Sequence, residues 1–145
     1  MIYLDTSYIV KCYLREPGTA DVLAWLEGKT GLSCCIYGRL EIYAAVTRHV
    51  REGRLARAEA EKALRTFESD ERRGTWHWLP VTDPLLKLAA ERVRGLAVSV
   101  PLRAADALHL TCAAENGFET VYSHDRHLLN AAPAFGLAGC DVIAA

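Results

Sequence analysis

A three-layer α/β/α domain on a mostly parallel five-stranded sheet is the fold class that this sequence predicts. Three observations carry that expectation. Short apolar segments of strand character alternate with segments of helical period along the chain. Strands separated by helices pair in parallel and are covered on both faces. At 145 residues, with a hydrophobic share of 51% and 24% charged residues, the chain has the size and composition of one globular domain, expected over residues 1–145.

Ile2 to Leu4 reads as the first strand. Thr6 and Ser7 are then placed to cap a helix reaching Leu14, stopped by Pro17-Gly18. Thr19 to Glu27 forms a short helix ending at Gly28, and Gly31 to Cys35 a second strand. Tyr37 to Val50 is helical, with Leu40, Tyr43, Ala44 and Val46 as its apolar stripe. After Gly53, Arg54 to Ser69 resumes as an amphipathic helix with Ala60, Ala63, Leu64 and Phe67 on one side, so the two helices form a hairpin. Trp76 to Val81 is a third strand, with Trp76 and Trp78 sharing one face as core or interface residues. Thr82-Asp83-Pro84 starts a helix that runs to Gly95. Pro101 opens another, whose body from Ala104 to Ala114 is apolar on nearly every side and therefore buried. Thr120 to Tyr122 is a fourth strand, Asp125 to Asn130 a short helix, and Asp141-Val142-Ile143 a last strand.

Composition narrows the function classes. No apolar run approaches the roughly 20 residues that span a bilayer, and Met1 leads straight into the first strand without a basic leader, so a cytoplasmic protein without membrane association is expected. The five cysteines are odd in number, and the adjacent Cys34-Cys35 suits neither an ordinary disulfide nor a C-x-x-C zinc site. With 17 basic against 18 acidic residues the net charge is -1, so nucleic-acid contact requires a local basic patch.

Four acids stand in apolar surroundings: Asp5 in MIYLDTS, Glu41 in GRLEIYAAV, Asp106 in AADALHL and Asp125 in TVYSHD. Burying an unpaired carboxylate costs several kcal/mol. Around Glu41 the helical neighbours are Tyr37, Gly38, Ala44 and Ala45, with no Lys or Arg to neutralise it. In parallel α/β sheets ligands bind beyond the carboxyl ends of the strands. Asp5 follows the first strand, Asp125 comes just after the fourth, Asp106 falls in the second turn of its helix and Glu41 near the start of its own, so all four are able to converge. Two carboxylates ~4 Å apart repel by about 4 kcal/mol at an effective dielectric of about 20. An all-oxygen donor set favours Mg²⁺ or Mn²⁺ as the neutralising cation.

These segments resemble the PIN-domain ribonucleases, in particular the VapC-type toxins of toxin–antitoxin pairs. The resemblance covers MIYLDTSYIVKCYLREPG, the helical Glu of RLEIYAAV, AADALHLTCAAENG and VYSHDRHL. It implies a sheet of order 3-2-1-4-5 and Mg²⁺-dependent cleavage of RNA phosphodiesters. It places Asp5, Glu41, Asp106 and Asp125 at the acidic quartet that serves as metal-holding catalytic residues, with Thr6 and Ser123 as supporting hydroxyls. Asp5, Asp106 and Asp125 are expected to ligate directly and Glu41 through water. The resemblance further implies a homodimer and a small antitoxin, with the helical hairpin from Tyr37 to Ser69 as a docking surface.

Each residue has a plainer role open to it. Asp5 and Asp125 are suited to capping helices, Asp106 to pairing with Arg103 or His109, and Glu41 to a solvated edge. Asp83 and Asp141 are assigned to a helix start and to the opening of an edge strand. His124 and His127 read as loop residues and His109 as a satisfied, partly buried one. Among the basic residues, Arg48, Arg51, Arg54 and Arg57 lie on helical faces and read mostly as solvated surface, while Lys11, Arg103 and Arg126 lie near the motifs, and Arg103 and Arg126, which neighbour the acids, are the expected phosphate contacts. A dehalogenase-like phosphohydrolase would need an acid at position 7, where Ser7 stands. A catalytically silent, metal-binding domain of the same fold is the remaining alternative.

Overall fold

The computed structural model describes residues 1–143, so the last two residues of the expected domain lie outside the described ones. The elements are β1 (Ile2–Leu4), α1 (Thr6–Lys11), α2 (Thr19–Leu26), β2 (Leu32–Cys35), α3 (Tyr37–Arg51), α4 (Arg57–Arg72) and β3 (Trp76–Leu79). They continue with α5 (Asp83–Gly95), α6 (Ala104–Glu115), β4 (Thr120–Tyr122), α7 (Arg126–Ala131), a 3-10 turn (Ala132–Phe135) and β5 (Ala138–Cys140). The strands form one five-stranded sheet in the order β3-β2-β1-β4-β5, and every pairing is parallel. This is the expected three-layer α/β/α architecture and strand order.

Side chains alternate across the sheet, so consecutive residues enter opposite cores. Tyr3, Cys35 and Val121 pack with Leu108, Leu110 and Leu128 under α5, α6 and α7. Leu4, Cys34 and Trp76 pack with Ile42, Val46 and Phe67 under α1 to α4. Phe67 is fully buried and meets Tyr13, Tyr43 and Trp78 edge-on, so burial of this one ring contributes about 1.5–3 kcal/mol to the α3–α4 hairpin. Tyr43 donating to Glu68 at 2.8 Å and Arg39 donating to Glu71 at 2.7 Å close the hairpin on its outer side. Thr82 caps α5 by accepting from the Leu85 amide at 3.2 Å. Residues 106–113 of α6 are buried without interruption, as its all-round apolar pattern requires. All five cysteines are free thiols. Among the described residues no helix is long and apolar enough to cross a membrane.

Several local expectations are corrected. The buried stripe of α3 is Gly38, Ile42, Val46 and His49, whereas Leu40 is 62% exposed and Ala44 faces outward. The i, i+4 row through Gly38 wins because only a residue without a side chain lets the helix approach the sheet there. Asp5, not Thr6 or Ser7, caps α1, which ends at Lys11. Pro101 precedes α6 rather than opening it, so Asp106 lies in the first helical turn. The last strand is Ala138–Cys140, and Asp141 to Ile143 follow it. Its central Gly139 has the poor strand propensity that hides such a segment, yet it is required: a Cβ there would stand 2.9 Å from the Leu129 carbonyl oxygen.

Asp141 is an anchor past the strand. It accepts from the Tyr8 hydroxyl at 2.7 Å, from His124 Nδ1 at 2.8 Å and from the Ile143 amide at 3.1 Å. Burial raises its carboxyl pKa, but these donors outweigh it and hold the group below its ordinary value. The lowered folded-state pKa means that Asp141 stabilises the fold above its unfolded value of 3.8 and loses that contribution as pH falls through the folded value. The Tm advantage of the natural protein over Asp141→Asn is therefore expected to be constant above about pH 5 and to close on acidification. A pH series of thermal melts checks it.

Candidate metal centre and nucleic-acid cleft

Because every strand is parallel, the ends of β1, β2 and β4 open on one edge of the sheet, and the residues that follow them define a cleft there. Asp5 leaves β1 with its amide donating to the Tyr122 carbonyl at 2.9 Å. Its Oδ2 accepts from the Ser123 hydroxyl at 2.8 Å and from the Ser7 amide at 3.4 Å. Asp125 caps α7 through Oδ1, which accepts from the His127 amide at 2.8 Å and the Leu128 amide at 3.3 Å, while Ser123 Oγ accepts the Asp125 amide at 2.9 Å. The capping role thus does not compete with a site role. Each cap fixes the carboxylate rotamer and leaves a second oxygen for the cleft.

Asp5, Glu41, Asp106 and Asp125 all line this one cleft, whose volume is about 490 Å³. Thr6, Glu16, Arg48, His49, Arg51 and Arg103 share its lining. Asp5 and Asp106 are buried, and Asp106 benefits from the positive end of α6 in its first turn. Arg126, at the start of α7, is exposed and is not among the lining residues. Lys11 is buried and pairs with Glu16 at 2.9 Å.

Glu41 is neutralised by a residue far away in sequence. His109 Nε2 donates to Glu41 Oε1 at 2.5 Å, and the Thr6 hydroxyl donates to the same oxygen at 2.9 Å. His109 is 1% exposed rather than partly buried, and its Nδ1 lies 2.8 Å from the Tyr3 hydroxyl, which accepts the Cys35 amide at 3.1 Å. Burial would lower the His109 pKa, but contacts with Cys34, Glu41 and Asp5 outweigh it and push it well above the ordinary value. Burial would raise the Glu41 pKa, and His109, Thr6 and Arg103 instead bring it below the carboxylate norm.

Asp106 and Asp125 are bridged by Arg103, which donates from Nε to Asp106 Oδ2 at 3.1 Å and from Nη2 to Asp125 Oδ2 at 2.6 Å. Burial raises the Asp106 pKa, Arg103 lowers it, repulsion from Asp125 and Asp5 raises it again, and the net direction is upward. Burial is the largest of these effects, so one guanidinium does not offset the cost of desolvating Asp106 beside two other acids. Among the described residues no three His, Cys, Asp or Glu side chains stand close enough to enclose an ion in this arrangement, and Arg103 spans the gap. The donor chemistry, carboxylates supported by the hydroxyls of Thr6 and Ser123, suits a hard divalent cation. Arg103 is 72% exposed at its side chain, so it reaches both acids from the solvent side.

The family model for the PIN domain matches residues 2–133. This chain belongs to the PIN-domain family. It is 31% identical over 119 residues to ribonuclease VapC47 of Mycobacterium tuberculosis (strain CDC 1551 / Oshkosh), covering 79% of this chain and 76% of that protein. Its fold is similar to FitAB bound to the IR36 DNA fragment, with a TM-score of 0.69 and 20% identity over 100% of this chain and 97% of the other. FitAcB from Neisseria gonorrhoeae gives a TM-score of 0.67 and 22% identity over 96% of each chain. VapBC2 from Rickettsia felis, bound to a promoter DNA fragment, gives 0.62 and 15% over 97% and 98%.

Within this PIN domain, sequence reasoning missed the depth of His109 and the place of Arg48, Arg51 and Glu16 on the cleft. A polar residue in an otherwise apolar helix was the available signal for His109. For the arginines there was none, since charge on an amphipathic helix is ordinarily solvated.

Gly38 controls how closely α3 seats against this network. A Cβ there would stand 2.7 Å from Cys34 Sγ, 3.1 Å from Thr6 Oγ1 and 3.6 Å from His109 Cε1. Gly38→Ala is therefore expected to destabilise the fold by about 1–3 kcal/mol through overpacking, although alanine is favoured in helices by about 1 kcal/mol. Denaturant unfolding measures this, and a stabilised variant would contradict the packing described.

Proposed function

We propose that this PIN domain is a Mg²⁺- or Mn²⁺-dependent endoribonuclease, the toxin of a type II toxin–antitoxin pair acting in the cytoplasm. The observation that carries the reading is the gathering of Asp5, Glu41, Asp106 and Asp125, from four separate stretches of chain, on one cleft. Asp5, Asp106 and Asp125 would hold the ion directly and Glu41 through water. A divalent ion so held supplies an activated water nucleophile and neutralises the phosphate in the transition state. The protein's own residues perform the positioning. Ser123 fixes Asp5, His109 and Thr6 fix Glu41, and the α7 cap fixes Asp125. Arg103, whose side chain is largely exposed at the cleft, would contact the substrate phosphate, with Arg126 as a second contact on the rim.

The likeness to VapC47 supports the ribonuclease reading, and the FitAB and VapBC2 toxin–antitoxin complexes support an antitoxin partner. The α3–α4 hairpin is the docking surface assigned to it. An apolar groove lined by Leu86, Val93, Leu102 and Leu108 supports self-association as a homodimer. One observation favours the catalytically silent alternative: Arg103 already occupies the charge between Asp106 and Asp125.

Cleavage of single-stranded RNA with Mg²⁺ or Mn²⁺, using EDTA as control, separates the two readings. Asp5→Asn is expected to abolish cleavage with an unchanged Tm, because asparagine caps a helix as well as aspartate does. Full activity in that variant refutes the assignment. Arg103→Ala and Arg126→Ala are each expected to weaken RNA binding while metal uptake persists, and unchanged RNA affinity counts against their phosphate role.

A further inference from the structure

Beyond the acids, the cleft extends along α3 toward its carboxyl end. Glu41, Ala44, Ala45 and Arg48 follow the i, i+3, i+4, i+7 spacing of a single helix face, and all four line the cleft. Arg51 adds a second guanidinium one turn further. Arg48 lies two turns from Glu41, about 10 Å along the axis. Only two methyl groups stand between them on that face, so the floor of the cleft is unobstructed.

The remaining cleft charges have partners. Glu16 is paired with Lys11 at 2.9 Å and lies 3.6 Å from His49 Nε2, and Arg103 is paired with Asp106 and Asp125. Among the described residues Arg48 and Arg51 are the lining cations that no carboxylate takes up. The helix dipole favours cations at this end of α3 and explains why they are tolerated. It does not account for their opening onto the same cleft as the acids.

We propose that Arg48 and Arg51 form a backbone-phosphate subsite for the strand flanking the scissile bond, so that α3 is the track on which single-stranded RNA lies. This rests on the nuclease reading above and adds to it a direction: the strand runs from the acidic end of the cleft along Ala44 and Ala45 to the two arginines. With a divalent ion held at the acidic end, a polyanion with regularly spaced charges would engage both ends of such a cleft at once, one phosphate through the ion and another through the arginines. An acidic side chain of a protein partner presents charge at one point only. With a net charge of -1 the molecule has no overall attraction for RNA, so this local pair supplies what the composition does not.

The test measures binding of a short single-stranded RNA by fluorescence anisotropy across a salt series, in the Asp5→Asn background so that the strand survives. Arg48→Gln combined with Arg51→Gln is expected to weaken binding at least tenfold near physiological salt. It should also lower the slope of log K against log salt by about 1.4, since each lost single-strand phosphate contact contributes about 0.7. In the otherwise natural chain, Mn²⁺ uptake by EPR should be unchanged by the double substitution. Ala44→Glu, which keeps a good helix former but places a carboxylate on the track, should weaken RNA binding with an unaltered circular dichroism spectrum. The inference is overturned if the natural chain cuts RNA and the Asp5→Asn background binds it, while the double substitution in that background keeps affinity and salt slope. It is equally overturned if the double substitution leaves RNA binding intact and instead abolishes binding of a polyglutamate peptide, which would assign the pair to an acidic protein partner. Failure of the natural chain to cleave RNA with added metal sinks the nuclease reading itself, and is told apart from both.

Discussion

His109 sits in a helix with no other outlet for polarity, and its placement holds the cleft together. One ring nitrogen meets Glu41 on α3 and the other meets Tyr3 on β1, whose hydroxyl takes the amide of Cys35 on β2. Thr6 of α1 completes the set on Glu41. Five elements therefore share one buried chain of hydrogen bonds. In a low-dielectric interior such a chain is costly unless every member is satisfied. That requirement fixes how near α3 and α6 stand to the central strand, and Gly38 is the point at which the chain makes room for it.

The same arrangement divides the cleft electrically. Glu41 is compensated from inside the protein by His109, whereas Asp106 and Asp125 are compensated from the solvent side by an exposed arginine. The inner compensation is permanent, because a buried imidazole has nowhere else to go. The outer one is exchangeable, because a long side chain with most of its surface in water gives up little on leaving. A cation arriving from solution would compete with that arginine on the Asp106–Asp125 side.

Much of this was legible from the residues. Apolar segments at strand length, helix-start signals such as Thr82-Asp83-Pro84, and the all-apolar Ala104 to Ala114 stretch specify their elements locally, and acids in apolar surroundings announce themselves. What was hidden depends on tertiary contact. The partner of Glu41 is 68 residues away. Leu40 is more apolar than Gly38, but the inward row is set by what the sheet and His109 leave free, so the expected stripe was rotated. The last strand is carried by Gly139, whose merit is its lack of a side chain against Leu129. Arg48 and Arg51 look like any charged helix face until α1 and the strand ends form the opposite wall.

Asp5 and Asp125 each hold the first turn of a helix with one part of the carboxylate and face the cleft with the other. Whatever settles on those cleft-facing oxygens, in place of Arg103 at Asp125, is consequently tied to the seating of α1 and α7. An occupant bound only by the native arrangement adds its own binding free energy to the docking of these two short helices, neither of which would persist in isolation at six residues. Occupancy of the cleft and order at the sheet's carboxyl edge would in this way be a single equilibrium, shared by α1 and α7 alike.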